Sequence, residues 1–237
     1  MLNDIGRGKV DSADCTLVIP AYNEETRIGS LLEEVSGFPG DLIFVCDGTD
    51  ATPAIVGAFA DDNPSLSIRC LTFPSRLGKG GAIVAGIREA STPYVGYMDA
   101  DGSTSVSEME RLFDRLADVD GVIGSRWMPE SVIPVRQGLW RQFESRLFNL
   151  MVRMLFGLDY RDTQCGAKVF RREALESVLP SLRSTGFEFD VELLWRLRKI
   201  GCRVEEVPIT WENRGESKVG TVDAKRMLSG MLRLRFG

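Results

Sequence analysis

A chain of 237 residues, 43% hydrophobic and 27% charged, buries a real core without disulfide staples and has the length of one large α/β domain. Its net charge of −5 excludes a nucleic-acid binder held by overall electrostatics. It has no histidine, which removes Ser-His-Asp and Cys-His nucleophilic sites and HExxH zinc sites; acid, base or metal work falls to Asp and Glu, whose oxygens favour Mg2+ or Mn2+ over zinc.

In chain order, Cys15 to Pro20 reads as a short buried strand. Ile28, Leu31, Leu32 and Val35 follow at i, i+3, i+4, i+7, the spacing of a helix with one buried face. Leu42 to Cys46 is the next strand, Ala54 to Ala60 the next helix, and Leu66 to Phe73 a third strand. Gly78-Lys79-Gly80-Gly81 opens a helix carrying Ile83, Val84 and Ile87. Tyr94 to Met98 is a fourth strand, ending at Asp99 and Asp101. Met109, Leu112, Phe113 and Leu116 mark a helical face, and Val122 and Ile123 a fifth strand. Strands alternating with helices predict βαβ units and a parallel sheet, whose ligands bind at the carboxyl ends of the strands. Asp47, Asp99 and Asp101 fall there.

The second half is less regular. Leu139 to Phe156 is predicted as a helix with apolar positions Phe143, Leu147, Leu150, Met151 and Met154, interrupted by Arg141, Ser145, Arg146, Asn149 and Arg153 and so no membrane span. Phe187 to Ile200 is another, with Leu193, Leu194, Leu197 and Ile200 inward; Arg203 to Trp211 is a late strand, and the tail from Val222 is basic and amphipathic. No repeat or linker divides the chain, so one domain over 1–237 is expected. From Arg126 to Arg161 six Arg face three acids, a local +3, and from Lys218 to Gly237 five Lys and Arg face Asp223, a local +4. Basic patches on an acidic protein suggest an anionic ligand or surface. Five scattered cysteines without a CxxC suggest a reducing compartment, and a polar N-terminus through Asp14 reads as no signal peptide.

Asp99 and Asp101 follow Tyr-Val-Gly-Tyr-Met and precede Gly102-Ser103. Two carboxylates at i and i+2 can share one hard cation and leave room for phosphate oxygens; the same pair fits an acidic loop capping the helix that starts near Ser105. Asp118-Val119-Asp120 has the same spacing but no apolar strand to aim it, and reads as solvated surface. Gly78-Lys79-Gly80-Gly81 lacks the Walker pattern; it suits either an anion at a helix start or a tight turn with an exposed Lys. Pro20-Ala21-Tyr22-Asn23-Glu24-Glu25 offers aromatic, amide and acidic groups that suit a nucleobase and ribose, or simply acids at a helix N-terminus.

Taken in order, Val18-Ile-Pro-Ala-Tyr-Asn-Glu-Glu25, Asp47-Gly-Thr-Asp50, Gly78-Lys-Gly-Gly-Ala82, Asp99-Ala-Asp-Gly-Ser103 and Gly124-Ser-Arg126 resemble the family-2 inverting glycosyltransferases. Asp162-Thr-Gln-Cys-Gly-Ala-Lys168, Phe187-Glu-Phe-Asp-Val-Glu192 and Glu206-Val-Pro-Ile-Thr-Trp211, then Ser217-Lys218, look most like the dolichyl-phosphate glucosyltransferase and mannosyltransferase group. The resemblance implies the GT-A fold: α/β, a Rossmann-like, mostly parallel sheet flanked by helices. It implies a nucleotide-sugar half at about 15–125, an acceptor half at about 126–220 and a basic tail at 221–237. The implied reaction moves a hexose from a nucleotide diphosphate sugar (UDP-glucose first, GDP-mannose second) to dolichyl or polyprenyl phosphate, with Mg2+ or Mn2+.

By position, Pro20, Tyr22 and Glu24 would contact the nucleotide, Asp47 the base, and Lys79 the base or diphosphate. Asp99 and Asp101 would hold the metal, with Ser103 as a further polar ligand. Arg126, Arg141 and Ser145, with Arg214 and Lys218, would meet the acceptor phosphate. A hydroxyl acceptor would instead need a base, for which Asp190 is the candidate, its other role being helix N-terminal stabilisation. A catalytically silent nucleotide-sugar-binding protein is the non-enzyme alternative. The chain departs from the family in having Cys46 where an acid usually precedes Asp47, and in lacking the membrane segments of many relatives; a cytoplasmic protein, peripheral on the cytoplasmic membrane face, is expected.

Overall fold

The computed structural model describes residues 9–134, 139–212 and 221–236, with the side chains of 139–147, 221–226 and 228 outside the description. Strand β1 (Cys15–Ala21) leads to helix α1 (Ile28–Val35), β2 (Asp41–Cys46), α2 (Thr52–Asp62), β3 (Ile68–Thr72), α3 (Gly78–Glu89) and β4 (Tyr94–Tyr97). These are the predicted elements, with bounds shifted by a few residues. Next come α4 (Val106–Phe113), β5 (Gly121–Ser125), α5 (Leu139–Phe156), β6 (Lys168–Arg171), α6 (Arg172–Val178), α7 (Phe189–Lys199), β7 (Val204–Pro208) and α8 (Thr221–Phe236). Proline at the first turn of α2 sits where its missing N–H costs nothing. Ser105 caps α4 by accepting from the Glu108 N–H at 3.3 Å, the Ser-x-x-Glu signature of a helix start.

The strands form one sheet in the order β3-β2-β1-β4-β6-β5-β7. β1 runs parallel to β2 and β4, and β5 parallel to β7. β6 is antiparallel to both β4 and β5, placing Lys168 opposite Tyr97 and Ile123. This insertion of a strand from the second half between two from the first was not predicted. Helices cover both faces, so β1 is almost continuously apolar rather than alternating. Leu17 and Ile19 join the core under α1 and α4, whereas Val18 joins the core under α3, α5 and α7.

One inward assignment is corrected: Ile200, at the cap of α7, is 53% exposed. Of the apolar positions on α5, Leu150 and Met154 are 50% and 72% exposed. On α5 the buried stripe is instead Val152 and Phe156, with Phe148, Met151 and Leu155 packed beside it. The acidic control pair also divides. Asp118 is exposed, but the Asp120 carboxylate accepts from the Arg203 N–H at 2.7 Å, tying the starts of β5 and β7. Among the described residues no helix is long and apolar enough to cross a membrane.

Candidate active site

The loops that leave β1 and β2 are stitched together by side chains. Thr49 N–H donates to Asn23 Oδ1, Glu25 N–H to Asp50 Oδ2, Ala51 N–H to Glu25 Oε2 and Glu24 N–H to Thr52 Oγ1, each at 2.9 Å. Asn23 holds φ at 53°, a left-handed conformation that its short polar side chain tolerates. The stitching ties the turn that follows Pro20 and Tyr22 to the loop after β2. Arg76 stacks on the Tyr22 ring at 4.1 Å, and Arg27 donates twice to buried Glu24, at 2.8 and 2.6 Å. The sequence reading missed both arginines, which lie outside the motifs it used.

Asp47 lies buried just past β2, and its Oδ2 accepts from the N–H groups of Leu77 (2.7 Å) and Gly78 (3.0 Å). That carboxylate oxygen therefore caps α3. Gly78 has φ 78°, and a Cβ there would stand 2.5 Å from the Thr185 carbonyl oxygen, to which Gly81 N–H donates at 3.2 Å. The glycine-rich start is thus a packing device against the segment before α7. With the amides of Leu77, Gly78 and Gly81 spent, the charged group of this helix start is the Lys79 side chain.

Lys79 Nζ lies 2.8 Å from Asp99 Oδ1 and 3.7 Å from Asp190 Oδ2. Burial alone would lower the lysine pKa, but the charges of Asp99 and Asp190 outweigh it and hold the ammonium protonated. Asp190 is fully buried on the first turn of α7, and its Oδ1 accepts from Tyr97 Oη at 2.7 Å and Lys168 Nζ at 2.5 Å. Burial opposes its ionisation, but Lys168 and then Lys79 hold its carboxyl below the ordinary range. Lys168 is equally buried and also donates to the Cys165 carbonyl. Asp190 thus sits inside a cluster of two lysines and a tyrosine, beneath Asp99.

Asp101 follows at the turn, with Oδ1 accepting from Ser103 N–H at 2.9 Å; Ser103 is buried and its carbonyl accepts from Glu212 N–H at 2.9 Å. Burial and the charge of Asp99 push the Asp101 carboxyl up, against the Ser103 hydrogen bonds and the charge of Arg27. Two crowded carboxylates whose repulsion raises one of them are what a hard cation relieves, so these residues fit Mg2+ or Mn2+. Among the described residues no group of three or more Asp, Glu, Cys or His could hold a metal, so phosphate, hydroxyl or water oxygens must complete the shell.

Across from this pair, Arg126 leaves β5 and binds Asp162 through Nε (2.7 Å) and Nη2 (3.0 Å), while its backbone N–H donates to Oδ2 at 3.0 Å. Burial opposes Asp162 ionisation, but the guanidinium holds its carboxyl below the ordinary range. Arg126 also faces the Trp211 ring at 5.5 Å. The Asp162–Lys168 stretch then crosses beneath Asp99. A Cβ on Gly166 would lie 2.0 Å from Asp99 Oδ2 and 2.3 Å from its Cγ, so only glycine admits the carboxylate there. Asp162, Gly166 and Lys168 were visible only as parts of a motif. Of the remaining predicted acceptor residues, the side chains of Arg141 and Ser145 on α5 and the whole of Arg214 and Lys218 lie outside the described residues.

The Glycosyl transferase family 2 model matches residues 16–179. Glycosyltransferase AglD of Haloferax volcanii is 35% identical over 93% of this chain, which spans 36% of that protein. Dolichyl-phosphate beta-glucosyltransferase of Dictyostelium discoideum is 28% identical over 97% of this chain and 76% of its own. Polyprenol monophosphomannose synthase of Mycolicibacterium smegmatis is 35% identical over 86% and 80%. Glucosyl-3-phosphoglycerate synthase of Mycobacterium tuberculosis, solved with Mn2+, UDP and glucosyl-3-phosphoglycerate, superposes with a TM-score of 0.68 at 19% identity, over 93% of this chain and 79% of that one. The chain belongs to glycosyl transferase family 2 and has the GT-A fold.

Proposed function

We propose that this family-2 transferase moves a hexose, glucose foremost, from a nucleotide diphosphate sugar to a dolichyl or polyprenyl phosphate. The observation that carries the reading is the arrangement of two charged sets. Lys79 pairs with Asp99, two residues before Asp101, and Arg126, paired with Asp162, lies close enough to feel the Asp99 charge. The similarity to the Dictyostelium dolichyl-phosphate beta-glucosyltransferase and the Mycolicibacterium polyprenol monophosphomannose synthase suggests the acceptor class.

On the donor side, Tyr22 and Glu24 bind the nucleoside, Tyr22 backed by Arg76 and Glu24 by Arg27. Asp47 holds the start of α3, which sets Lys79 beside the diphosphate. Asp99 and Asp101, with Ser103, would hold Mg2+ or Mn2+, which when bound neutralises the departing diphosphate. The acceptor phosphate is already anionic at neutral pH, so its attack requires no general base. The chain's task is to bring two anions together. Arg126 does so as a planar cation oriented by Asp162, joined by Arg141, Ser145, Arg214 and Lys218.

Attack by a hydroxyl acceptor with Asp190 as base is disfavoured. Asp190 is 0% exposed, and its Oδ1 is occupied by Tyr97 and Lys168. Mannose from GDP-mannose is the second reading for the donor, favoured by the 35% identity to the mycobacterial mannose synthase.

Attachment to a membrane surface suits the acceptor. Helix α8 packs through Met227 and Met231, leaves Leu232 and Phe236 exposed, and meets α5 where Arg235 Nε donates to the Leu155 carbonyl at 2.9 Å. Leu150 and Met154 are exposed on α5, and Arg233 and Arg235 are exposed on α8. This mixture suits an anionic interface.

The test mixes the protein with polyprenyl phosphate, Mn2+ and each nucleotide sugar in turn and follows nucleoside diphosphate release. Fastest release with UDP-glucose, abolished by EDTA, is expected. No release with any lipid phosphate ends the acceptor reading, and full activity in EDTA ends the metal assignment.

A further inference from the structure

Asp190 has one carboxylate oxygen without a hydrogen bond. Its Oδ1 is doubly occupied, while Oδ2 is buried, receives no hydrogen bond and faces Lys79 Nζ at 3.7 Å. A buried carboxylate oxygen left bare inside a cationic cluster is costly unless some state of the protein fills it. Lys79 Nζ is the cation that faces it. Its ammonium bonds Asp99 Oδ1 at 2.8 Å, and a shift of about 0.8 Å would bring it within ordinary hydrogen-bond range of Asp190 Oδ2. The lysine side chain is only 12% exposed, and these two carboxylates are its ion-pair partners among the described residues.

We infer that Lys79 is an exchangeable counter-ion: it neutralises Asp99 while the site holds no cation, and passes to the bare oxygen of Asp190 when a divalent cation takes Asp99. Asp190 is then a positioning residue rather than a base. The inference rests on the cation site proposed above and adds to it how Asp99 is neutralised when that site is empty.

The charges favour such an exchange. Asp99 and Asp190 are balanced by Lys79 and Lys168, which leaves Asp101 as the carboxylate without a lysine among these groups. A divalent cation arriving at Asp99 repels an ammonium 2.8 Å from the same carboxylate, and, among the described residues, Asp190 Oδ2 is the other carboxylate oxygen within 4 Å of that ammonium, at 3.7 Å. Lys168 cannot substitute, because it is held by Asp190 Oδ1 and the Cys165 carbonyl. Tyr97 and Lys168 fix the acceptor oxygen in place, which explains why a fully buried aspartate keeps one oxygen unbonded.

The experiment titrates the 237-residue protein with Mn2+ alone, without nucleotide, reading free Mn2+ by electron paramagnetic resonance. Wild type, Lys79→Met, Asp190→Asn and the double variant are compared, with thermal melts to confirm folding and Lys79→Gln as the substitute should Lys79→Met not fold. Removing the competitor should tighten Mn2+ binding about tenfold or more, a change of about 1.4 kcal/mol. Asp190→Asn, which removes the lysine's second seat, should weaken binding about tenfold in the wild-type background and less than threefold when Lys79 is Met. Equal affinity in wild type and Lys79→Met overturns the exchange while leaving the cation site intact. The same loss from Asp190→Asn in both backgrounds overturns it too, since a merely structural aspartate would act without regard to Lys79. No Mn2+ uptake by any of the proteins, even with UDP present, removes the cation site itself and the exchange with it.

Discussion

Gly166→Ala separates the site from the fold more sharply than any change to a charged residue. The added Cβ would lie 2.0 Å from Asp99 Oδ2, 2.3 Å from Cγ and 2.8 Å from Oδ1, so it meets the whole carboxylate. Ordinary contact lies near 3.4 Å or beyond, so the carboxylate must move by about 1.4 Å or more. The Asp99 side chain is 40% exposed and can swing outward without dragging the strand. The folding cost should therefore stay near the low end of overpacking, about 1 kcal/mol, or about 2–4 °C in Tm for a chain of this size. The displacement carries Asp99 away from Lys79 and from the position where it would share a cation with Asp101. Misplacement by about 1 Å costs about 100-fold in a positioned reaction. The assay is nucleoside diphosphate release with polyprenyl phosphate, alongside a thermal melt of the same sample. A turnover within threefold of wild type would refute the placement of Asp99 at the reacting centre. A collapse of Tm by 15 °C or more would refute the argument that the carboxylate, not the backbone, yields.

Asp162→Asn leaves Arg126 without its counter-charge, and should cost about 3 kcal/mol at neutral pH, the low side of the range for a broken buried pair because Arg126 is 19% exposed. The carboxyl of Asp162 is held below its unfolded value, so the pair's stabilisation is complete above about pH 4 and is lost as pH falls through the folded pKa. Urea midpoints should therefore differ by a constant amount from pH 5 to 8 and converge in stronger acid; a difference that grows in acid would contradict the assignment. Replacing both Leu232 and Phe236 by Ser should leave the fold intact, since they are 43% and 73% exposed, and should reduce flotation with vesicles containing anionic lipid. Unchanged flotation would remove this face as the membrane surface.

The first half of the fold was legible because each element there obeys one period. Parallel strands covered on both faces read as unbroken apolar runs, and α1 and α4 place every buried residue on one stripe. β6 was not legible for the opposite reason. It has four residues, it begins with a lysine, and that lysine is buried only because Asp190 on a later helix neutralises it. No local pattern encodes a strand that depends on a distant counter-charge. α5 differs again. Apolar residues occupy more than one of its faces, so periodicity identifies the helix without saying which stripe meets the core, and Leu150 and Met154 lie on the exposed one.

The same division runs through the site. Residue types and strand ends distinguish Asp99 and Asp101 from the identically spaced Asp118 and Asp120, because only the first pair is delivered by a buried strand to the carboxyl edge of the sheet. Partners are a tertiary fact. Arg126 finds Asp162 across 36 residues and Lys168 finds Asp190 across 22, and these pairings change what each group can do. An aspartate at a helix N-terminus reads from sequence as a candidate base; the same aspartate, bonded to Lys168 and turning a bare oxygen to Lys79, reads as a second seat for the lysine that pairs with Asp99. Asp190 therefore changes role without changing position. The reason is electrostatic: in a buried cluster, what a charge does is set by the charges it must balance, and those are named by the fold rather than by neighbours in the chain.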